Sequence, residues 1–463
     1  MMALSKSLFP NGMGPKRRVL AMIAVLAAGF CAAVSPASAQ KKLPLIRDAE
    51  IEALLKDYTA PLFSAAGFGK GAVDVYIVND ERFNAFVTER RMFINTGAIK
   101  KSKKPNEIIG VLAHETGHIV GGHALRFRDR VNQANVLGAL AMLAGAGAAV
   151  AGGEGGAEAG RALAMGTQSA LMRDLLAYRR GEEAAADNSG VTLLNKTGQS
   201  ARGMLTTFEN FSRDILFTSG RIDPYLQSHP MPRERIALLE EIARKSPNFN
   251  KEDPPALQLR HDMARAKIIA FEGNGGDLAN MFREDPRGPA ARYGLAIALF
   301  LRGSTDEAAP IIEALLKEQP KNAYLYEMKG EMLMRDGRAK EAVEAYSKAI
   351  ALDKYKSGLL RSAIGHAMLE TRDPAMLDKA VTEIKAGLAR DRSNSQGHAL
   401  LARAYSARGE PHLARAAAAE EAYYKMQLKD AKRLAKLAQP KLKQGSPEWL
   451  RMQDILDYKP PKK

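Results

Sequence analysis

The sequence predicts a mostly α-helical chain with a small β-sheet, in which an α+β domain is followed by an α-solenoid. Three observations predict it. Hydrophobic residues make up 46% of the 463 residues while aromatics are only 6%, and a chain rich in Ala and Leu favours helix over an all-β sandwich. Short alternating apolar runs before residue 95 give way to helical periodicity from Pro105. Beyond residue 256, small residues return at an interval of 34. Charged residues are 26% of the chain, with 39 Gly and 22 Pro, a globular balance that excludes disorder, collagen and a polytopic membrane protein as whole-chain descriptions. A single cysteine excludes a disulfide framework and a Cys-ligated zinc site. Any metal centre must therefore be built from His and carboxylates.

Residues 1–39 are expected to be a signal peptide. Lys16-Arg17-Arg18 precedes an uncharged run from Val19 to Val34, and Ala37-Ser38-Ala39 supplies a small-x-small cleavage pattern before Gln40. An uncleaved anchor and an organellar transit peptide are the alternatives. Cys31 is a poor lipid-attachment site because Phe30 is too large for the position before it. Cleavage removes Cys31 together with Lys6, Lys16, Arg17 and Arg18, which lowers the net charge of +16 by four to +12 and leaves no thiol chemistry.

In the next segment Ile46 to Leu55 reads as a helix and Val73 to Val78 alternates like a strand. Phe86-Val87 and Met92-Phe93-Ile94 read as further strands around the charged turn Thr88-Glu89-Arg90-Arg91. Pro105 suits the first turn of a helix carrying Ile108, Ile109, Leu112 and Ile119 at helical spacing. Further helices are expected at 160–194 and 233–244. Between Val131 and Gly153 there is no charge at all. That is long enough to span a bilayer, but its Ala and Gly drive insertion weakly. A membrane-spanning segment, an apolar flap near the cleft or a membrane surface, and a buried helical hairpin all fit.

Ser246 to Pro255 reads as a linker. After it, Ala308, Ala342, Ala380 and Ala414 are spaced 34, 38 and 34, and Gly303 with Gly337 and Pro286 with Pro320 repeat the interval of 34. That period marks tetratricopeptide repeats, in which small residues let two helices approach closely and no unit buries its apolar face alone. About four repeats fit 256–425, with the four extra residues near Arg372-Asp373-Pro374-Ala375 taken up by a loop. Residues 426–463 form a basic C-terminal helix and tail, solvated around Lys441, Lys443, Lys459, Lys462 and Lys463.

His114-Glu115-Thr116-Gly117-His118 falls on the helix that begins at Pro105. Positions i and i+4 share one face, so both imidazoles can meet one zinc ion, with Glu115 beside them as general base for a water that the metal acidifies. A catalytic site needs a third protein ligand. His123 is one candidate, but the metzincin spacing would put that His at 124, where Ala124 stands. Glu183 is the better one: Asp187 follows it one turn later, so one carboxylate can ligate while the other orients an imidazole. Glu182 lacks such a partner. Arg180 and Arg235 read either as buried partners of these acids or as surface charges, and His123, His261, His366, His398 and His412 as structural.

These motifs resemble those of the gluzincin peptidases that include the CAAX prenyl proteases, the HtpX heat-shock proteases and the mitochondrial Oma-type proteases. Asn84-Ala85-Phe86 upstream and His229-Pro230 followed by Arg235-Ile236 downstream extend the likeness over roughly residues 45–245. The resemblance implies a zincin-type α+β protease domain at 40–250, with zinc held by His114, His118 and Glu183, Glu115 as base and Asp187 as orienting carboxylate. It places His229 near the metal, as a fourth ligand in a latent state or as an oxyanion stabiliser. Signal peptide, protease domain and repeats together resemble the soluble periplasmic branch. That implies a zinc endopeptidase of envelope quality control whose substrates are misassembled outer-membrane proteins, with the assembly machinery recruited through the repeats. The substrate is expected to extend along the strand near 91–95 as an added edge strand. The basic charge suits peripheral contact with anionic membranes, and the exported, aromatic-poor context argues against nucleic acid. The rival readings are an assembly chaperone or scaffold with a largely latent site, and a membrane-embedded protease with 131–153 inserted.

Overall fold

The computed structural model describes residues 43–217, 225, 229–230, 233–273 and 275–460; the expected signal peptide lies outside them. A four-stranded sheet forms from β1 (Leu45–Ile46), β2 (Asp74–Val78), β3 (Ala85–Thr88) and β4 (Arg91–Asn95), in the order β1-β2-β4-β3. Strand β4 runs parallel to β2, with Tyr76 opposite Phe93, and antiparallel to β3, with Phe86 opposite Phe93. Met92 and Ile94 are fully buried. Both edges of β4 are therefore occupied, and the expectation of a substrate added along 91–95 fails. The outer strand on that side is β3, which packs against the helix at 105–121.

The first helix, α1 (Ala49–Ala65), starts later than its apolar pattern suggests. Asp48 caps it by accepting from the Ile51 amide at 2.8 Å. Ile46, read as helical, instead pairs with Ile77 in the sheet. Ile51, Leu54, Leu55, Tyr58 and Leu62 form one buried face against the sheet and against α3 (Pro105–Gly121). A six-residue helix, α2 (Thr96–Lys101), links β4 to α3.

Helix α3 stops at Gly122, whose φ of +63° is left-handed backbone that a side chain would strain. The chain then turns into α4 (His123–Ala151) and returns as α5 (Gly153–Lys196). The charge-free stretch 131–153 is thus the outer part of a long antiparallel hairpin. It is not buried: Val136, Leu137, Leu140, Met142 and Leu143 are exposed. Among the described residues no helix is long and apolar enough to cross a membrane. The helix expected at 160–194 begins seven residues earlier, at Gly153. Helices α6 (Arg202–Phe217) and α7 (Arg233–Arg244) close the site from the other side.

The segment after Arg244 is pinned rather than free: Ser200 Oγ donates to the Phe249 carbonyl at 2.5 Å, and Asp253 Oδ2 accepts from the Asn106 amide at 2.9 Å. Helix α8 (Pro255–Phe271) shares both sides, with Ala264 and Ile268 in the core of the front domain and Met263 and Ala270 in that of the next helices. After the short α9 (Gly275–Met281), helix pairs follow: α10 (Pro289–Leu301) and α11 (Thr305–Glu318), α12 (Ala323–Arg335) and α13 (Ala339–Leu352), α14 (Gly358–Glu370) and α15 (Pro374–Arg390), α16 (Ser395–Ala407) and α17 (Pro411–Tyr424). Ala308, Ala342 and Ala380 are fully buried where helices meet. The four extra residues between Ala342 and Ala380 do not form a loop. Ala342 is the fourth residue of α13 but Ala380 the seventh of α15, so three of them add a turn of helix; the fourth lies in the connection 353–357.

The repeats fold back on α1. Asp57 accepts from Arg260, Lys354 and Tyr355, and Glu50 accepts from Tyr293 at 2.8 Å. Past 425 the lysines Lys441, Lys443 and Lys459 are exposed as expected, but the helices beside them are packed rather than loose. Ala431, Ala435 and Ala438 of α18 (Leu428–Ala438) and Met452 and Ile455 of α19 (Pro447–Asp457) pack on Ala416, Ala419 and Ala422. A row of alanines lets a helix seat closely even when its outer face is basic.

Candidate active site

Local rules put two imidazoles and a carboxylate on the inner face of α3. His114 and Glu115 are fully buried and His118 nearly so. Gly117 lets α5 come close: a Cβ there would lie 2.6 Å from the Ala186 carbonyl oxygen. That approach delivers Glu183 and Asp187, both 3% exposed. His229 arrives from the segment before α7, its ring 4.7 Å from that of Tyr225.

Four donors converge. His118 Nε2 lies 3.0 Å from His114 Nε2, which is 3.3 Å from His229 Nδ1. Glu183 Oε2 is 3.4 Å from His114 Nε2, Oε1 is 3.6 Å from His118 Nε2, and both oxygens lie 3.1 Å from His229 Nδ1. Two ligands about 2.05 Å from a tetrahedral zinc stand about 3.3 Å apart. The observed separations bracket that value, and two unprotonated imidazole nitrogens facing each other repel unless a cation lies between them. The donor set His114, His118, Glu183 and His229, whose atoms all lie within 4.8 Å of one another, therefore fits a metal.

The electrostatics agree with this reading. Burial disfavours a charged His114, but Asp187 and Glu183 outweigh it and raise its pKa to about 9. Burial, helped by the charges of His114 and His229 against the pull of Glu183, lowers His118 to about 3. Without metal the pair thus holds one proton at neutral pH, which an incoming cation displaces. Burial opposes ionisation of Glu183, yet contacts with His114, His118 and His229 drive its pKa far down. Glu115 goes the other way, raised chiefly by burial. Among the described residues neither of its oxygens has a hydrogen-bond partner, and His229 Nε2 lies 3.4 Å from Oε1. A buried carboxylate aimed at the donor cluster and left unpaired suits a group that takes a proton from something bound there.

A second layer holds the imidazoles. Asp187 Oδ1 is 2.9 Å from His114 Nδ1, off the line of an ideal hydrogen bond, and Arg235 grips Asp187 with Nε at 2.7 Å and Nη2 at 2.8 Å. Nη1 of the same guanidinium reaches Glu183 Oε2 at 2.8 Å, so of the two arginines left open by sequence Arg235 is the buried partner, while Arg180 is exposed. Arg235→Ala leaves two buried carboxylates uncompensated, and a stability loss of roughly 3–5 kcal/mol is expected, read as a lowered denaturation midpoint.

His123 is the residue that sequence reasoning set aside. The break at Gly122 swings its Nδ1 to 2.8 Å from His118 Nδ1, while its Nε2 lies 3.2 Å from Glu182 Oε2. With His123 Nε2–H donating to the Glu182 carboxylate, His123 Nδ1 is the acceptor for His118 Nδ1–H, and His118 Nε2 is left to face the donor cluster. The available signal was a His five residues past His118, across a Gly-Gly break. His261, His366, His398 and His412 lie outside this cluster; His261 bonds Tyr58 at 3.0 Å and the Ser102 carbonyl at 2.8 Å.

Comparison with known proteins gives this geometry a family. The sequence pattern of Peptidase family M48 matches residues 46–243, and a tetratricopeptide repeat pattern matches 277–323 and 302–357. The front of the chain is an M48 peptidase domain. Tetratricopeptide repeats follow it, and the chain is a metallopeptidase. The beta-barrel assembly-enhancing protease of Escherichia coli is 24% identical over 427 residues, covering 89% of this chain and 84% of that one. A Vibrio cholerae relative of like name is 26% identical over 290 residues, 61% of this chain; the chain spans only 58% of that relative's length. The Escherichia coli metalloprotease YcaL is 31% identical over 140 residues, 28% of this chain and 46% of its own. The latter two alignments cover only part of each chain, while the first runs through the M48 domain and the repeats.

Proposed function

We propose that this chain is a zinc endopeptidase of the periplasm that cleaves outer-membrane proteins whose assembly has failed. In this reading residues 1–39 are the export signal, 40–250 the catalytic domain, 256–425 the repeats that engage clients or assembly machinery, and 426–463 their capping helices. The observation that carries it is the convergence of His114, His118 and Glu183 beside the unpaired carboxylate of Glu115. The relatives' names supply the outer-membrane context.

A zinc ion held by the three residues would polarise the scissile carbonyl and acidify a water. Glu115 accepts that proton, and burial, by raising its pKa, brings its basicity closer to neutral pH. Asp187 and the His123–Glu182 pair fix which nitrogen each imidazole presents, and Arg235 holds Asp187 ionised while its third nitrogen anchors Glu183. The client extends along the edge of β3 that pairs with no strand among the described residues, and whose neighbour α3 carries the motif, so that main-chain pairing sets the register of cleavage. Purified protein is expected to cleave an unfolded outer-membrane β-barrel protein, lose that activity to a chelator and regain it with zinc. Cleavage that persists after complete metal removal would falsify the reading.

His229 favours a latent resting state. Its Nδ1 belongs to the donor set, and a fourth protein ligand closes the position that a catalytic ion keeps open. His229→Ala is expected to raise the initial cleavage rate several-fold with metal content unchanged; a fall in rate would instead make His229 a stabiliser of the developing oxyanion. This closure also keeps alive the scaffold reading, in which the repeats act while the site stays shut.

A further inference from the structure

The hairpin of α4 and α5 carries a surface that hydrolysis does not use. On α4, Val136, Leu140 and Leu143 fall at helical spacing on one exposed face; on α5, Met165, Met172 and Leu176 do the same, with Leu143 66% and Met165 69% exposed. A monomer rarely leaves such contiguous stripes in water. The charges around them are biased: residues 123–180 contain seven Arg, no Lys and four acidic residues. Arg126 pairs with Glu182 and Arg130 with Asp174, and Arg130 and Arg179 also lie over Tyr178 and Phe127. Arg128, Arg173 and Arg180 remain exposed and without a partner among the described residues. Arg173 and Arg180 stand at i−3 and i+4 from Leu176, and Arg128 at i−8 from Val136, so the free cations share the faces of the apolar stripes.

We propose that this hairpin docks on an anionic lipid surface, its Leu and Met stripes entering the interface and Arg128, Arg173 and Arg180 meeting headgroup phosphates. An apolar face edged by arginines is the pattern of interfacial helices. No described helix qualifies as a membrane span, so the hairpin lies in the interface and does not cross. Net positive charge argues for lipid over a second copy, since a two-fold pairing through the same faces adds like charge to like. The roots of the hairpin are the active site: His123 leads into α4, and Glu183 stands near the far end of α5. Docking therefore tethers the metal-binding residues at the bilayer surface. This adds to the peptidase reading without depending on it.

Flotation of the full mature chain with phosphatidylcholine vesicles, with and without phosphatidylglycerol, tests the inference. Binding is expected only with phosphatidylglycerol and to weaken at high salt. Leu140→Glu with Leu143→Glu, and separately Arg173→Glu with Arg180→Glu, are each expected to cut partitioning on the order of tenfold. All four positions are exposed, and far-ultraviolet circular dichroism and metal content should match the parent; should the leucine pair fail to fold, the arginine pair decides alone. Absence of flotation with anionic vesicles, or charge-reversed protein that floats like the parent, overturns the proposal. A dimer in sedimentation that Leu140→Glu with Leu143→Glu dissociates, without any vesicle binding, assigns the face to a second copy instead.

Discussion

Glu115→Gln is expected to lower peptide-bond cleavage by about 10²–10⁴-fold, the usual contribution of a positioned general base, while leaving fold and metal content as they were. The substitution is nearly isosteric, and the residue is fully buried between the motif imidazoles and His229. Packing therefore survives. What disappears is an oxygen able to take a proton: a carboxamide accepts a hydrogen bond but not the charge. Because Glu115 has no hydrogen-bond partner among the described residues, exchanging it breaks no structural bond seen there and relieves the cost of burying a carboxylate. Stability equal to or above the parent's is expected alongside the lost turnover. Progress curves on an unfolded β-barrel substrate, with metal stoichiometry measured on the same sample, read both. Turnover within tenfold of the parent at full metal occupancy would remove Glu115 from the chemistry. The same variant sorts the two cellular roles: full restoration of outer-membrane assembly by Glu115→Gln would mean that the repeats, and not hydrolysis, do the physiological work.

The parts of this molecule that were legible in sequence are those governed by local spacing. His114 and His118 share a face because i and i+4 do so on any helix, and Glu183 was separable from Glu182 because only Glu183 has an acid one turn on. The repeats announced themselves through buried small residues at Ala308 and Ala342. What stayed hidden was nonlocal. The chain runs β2, β3, β4 but the sheet runs β2, β4, β3, and nothing in Met92-Phe93-Ile94 says that the preceding strand will take its outer side. His123 reaches His118 only because the backbone reverses at Gly122. Composition left three fates open for 131–153, and Ala and Gly serve a tight helix–helix contact whether or not the outer face is covered. Asp48 shows the same limit at short range: an apolar run from Ile46 reads as helix until the cap is placed.

Glu183→Ala is expected to take the metal away altogether. Of the four donors Glu183 alone brings negative charge, and it touches each of the others: His114 at 3.4 Å, His118 at 3.6 Å and His229 at 3.1 Å. Removing it leaves three neutral imidazoles and no anionic ligand to offset the charge of a divalent ion in a buried site. An orienting partner is worth about 10–100-fold in metal affinity, so Asp187→Asn sets the lower mark and a direct ligand should exceed it. About one zinc per chain is expected in the parent and none in Glu183→Ala after dialysis against buffer, with cleavage lost in parallel. Loss of metal through collapse of the site is separable from loss of a ligand. Arg235 keeps its paired contacts to Asp187 at 2.7 and 2.8 Å, so the variant should still melt cooperatively and should resemble the metal-free parent. Full zinc retention by Glu183→Ala would mean that His114, His118 and His229 suffice as a three-imidazole site, and Glu183 would then be a counter-charge for Arg235 and not a ligand.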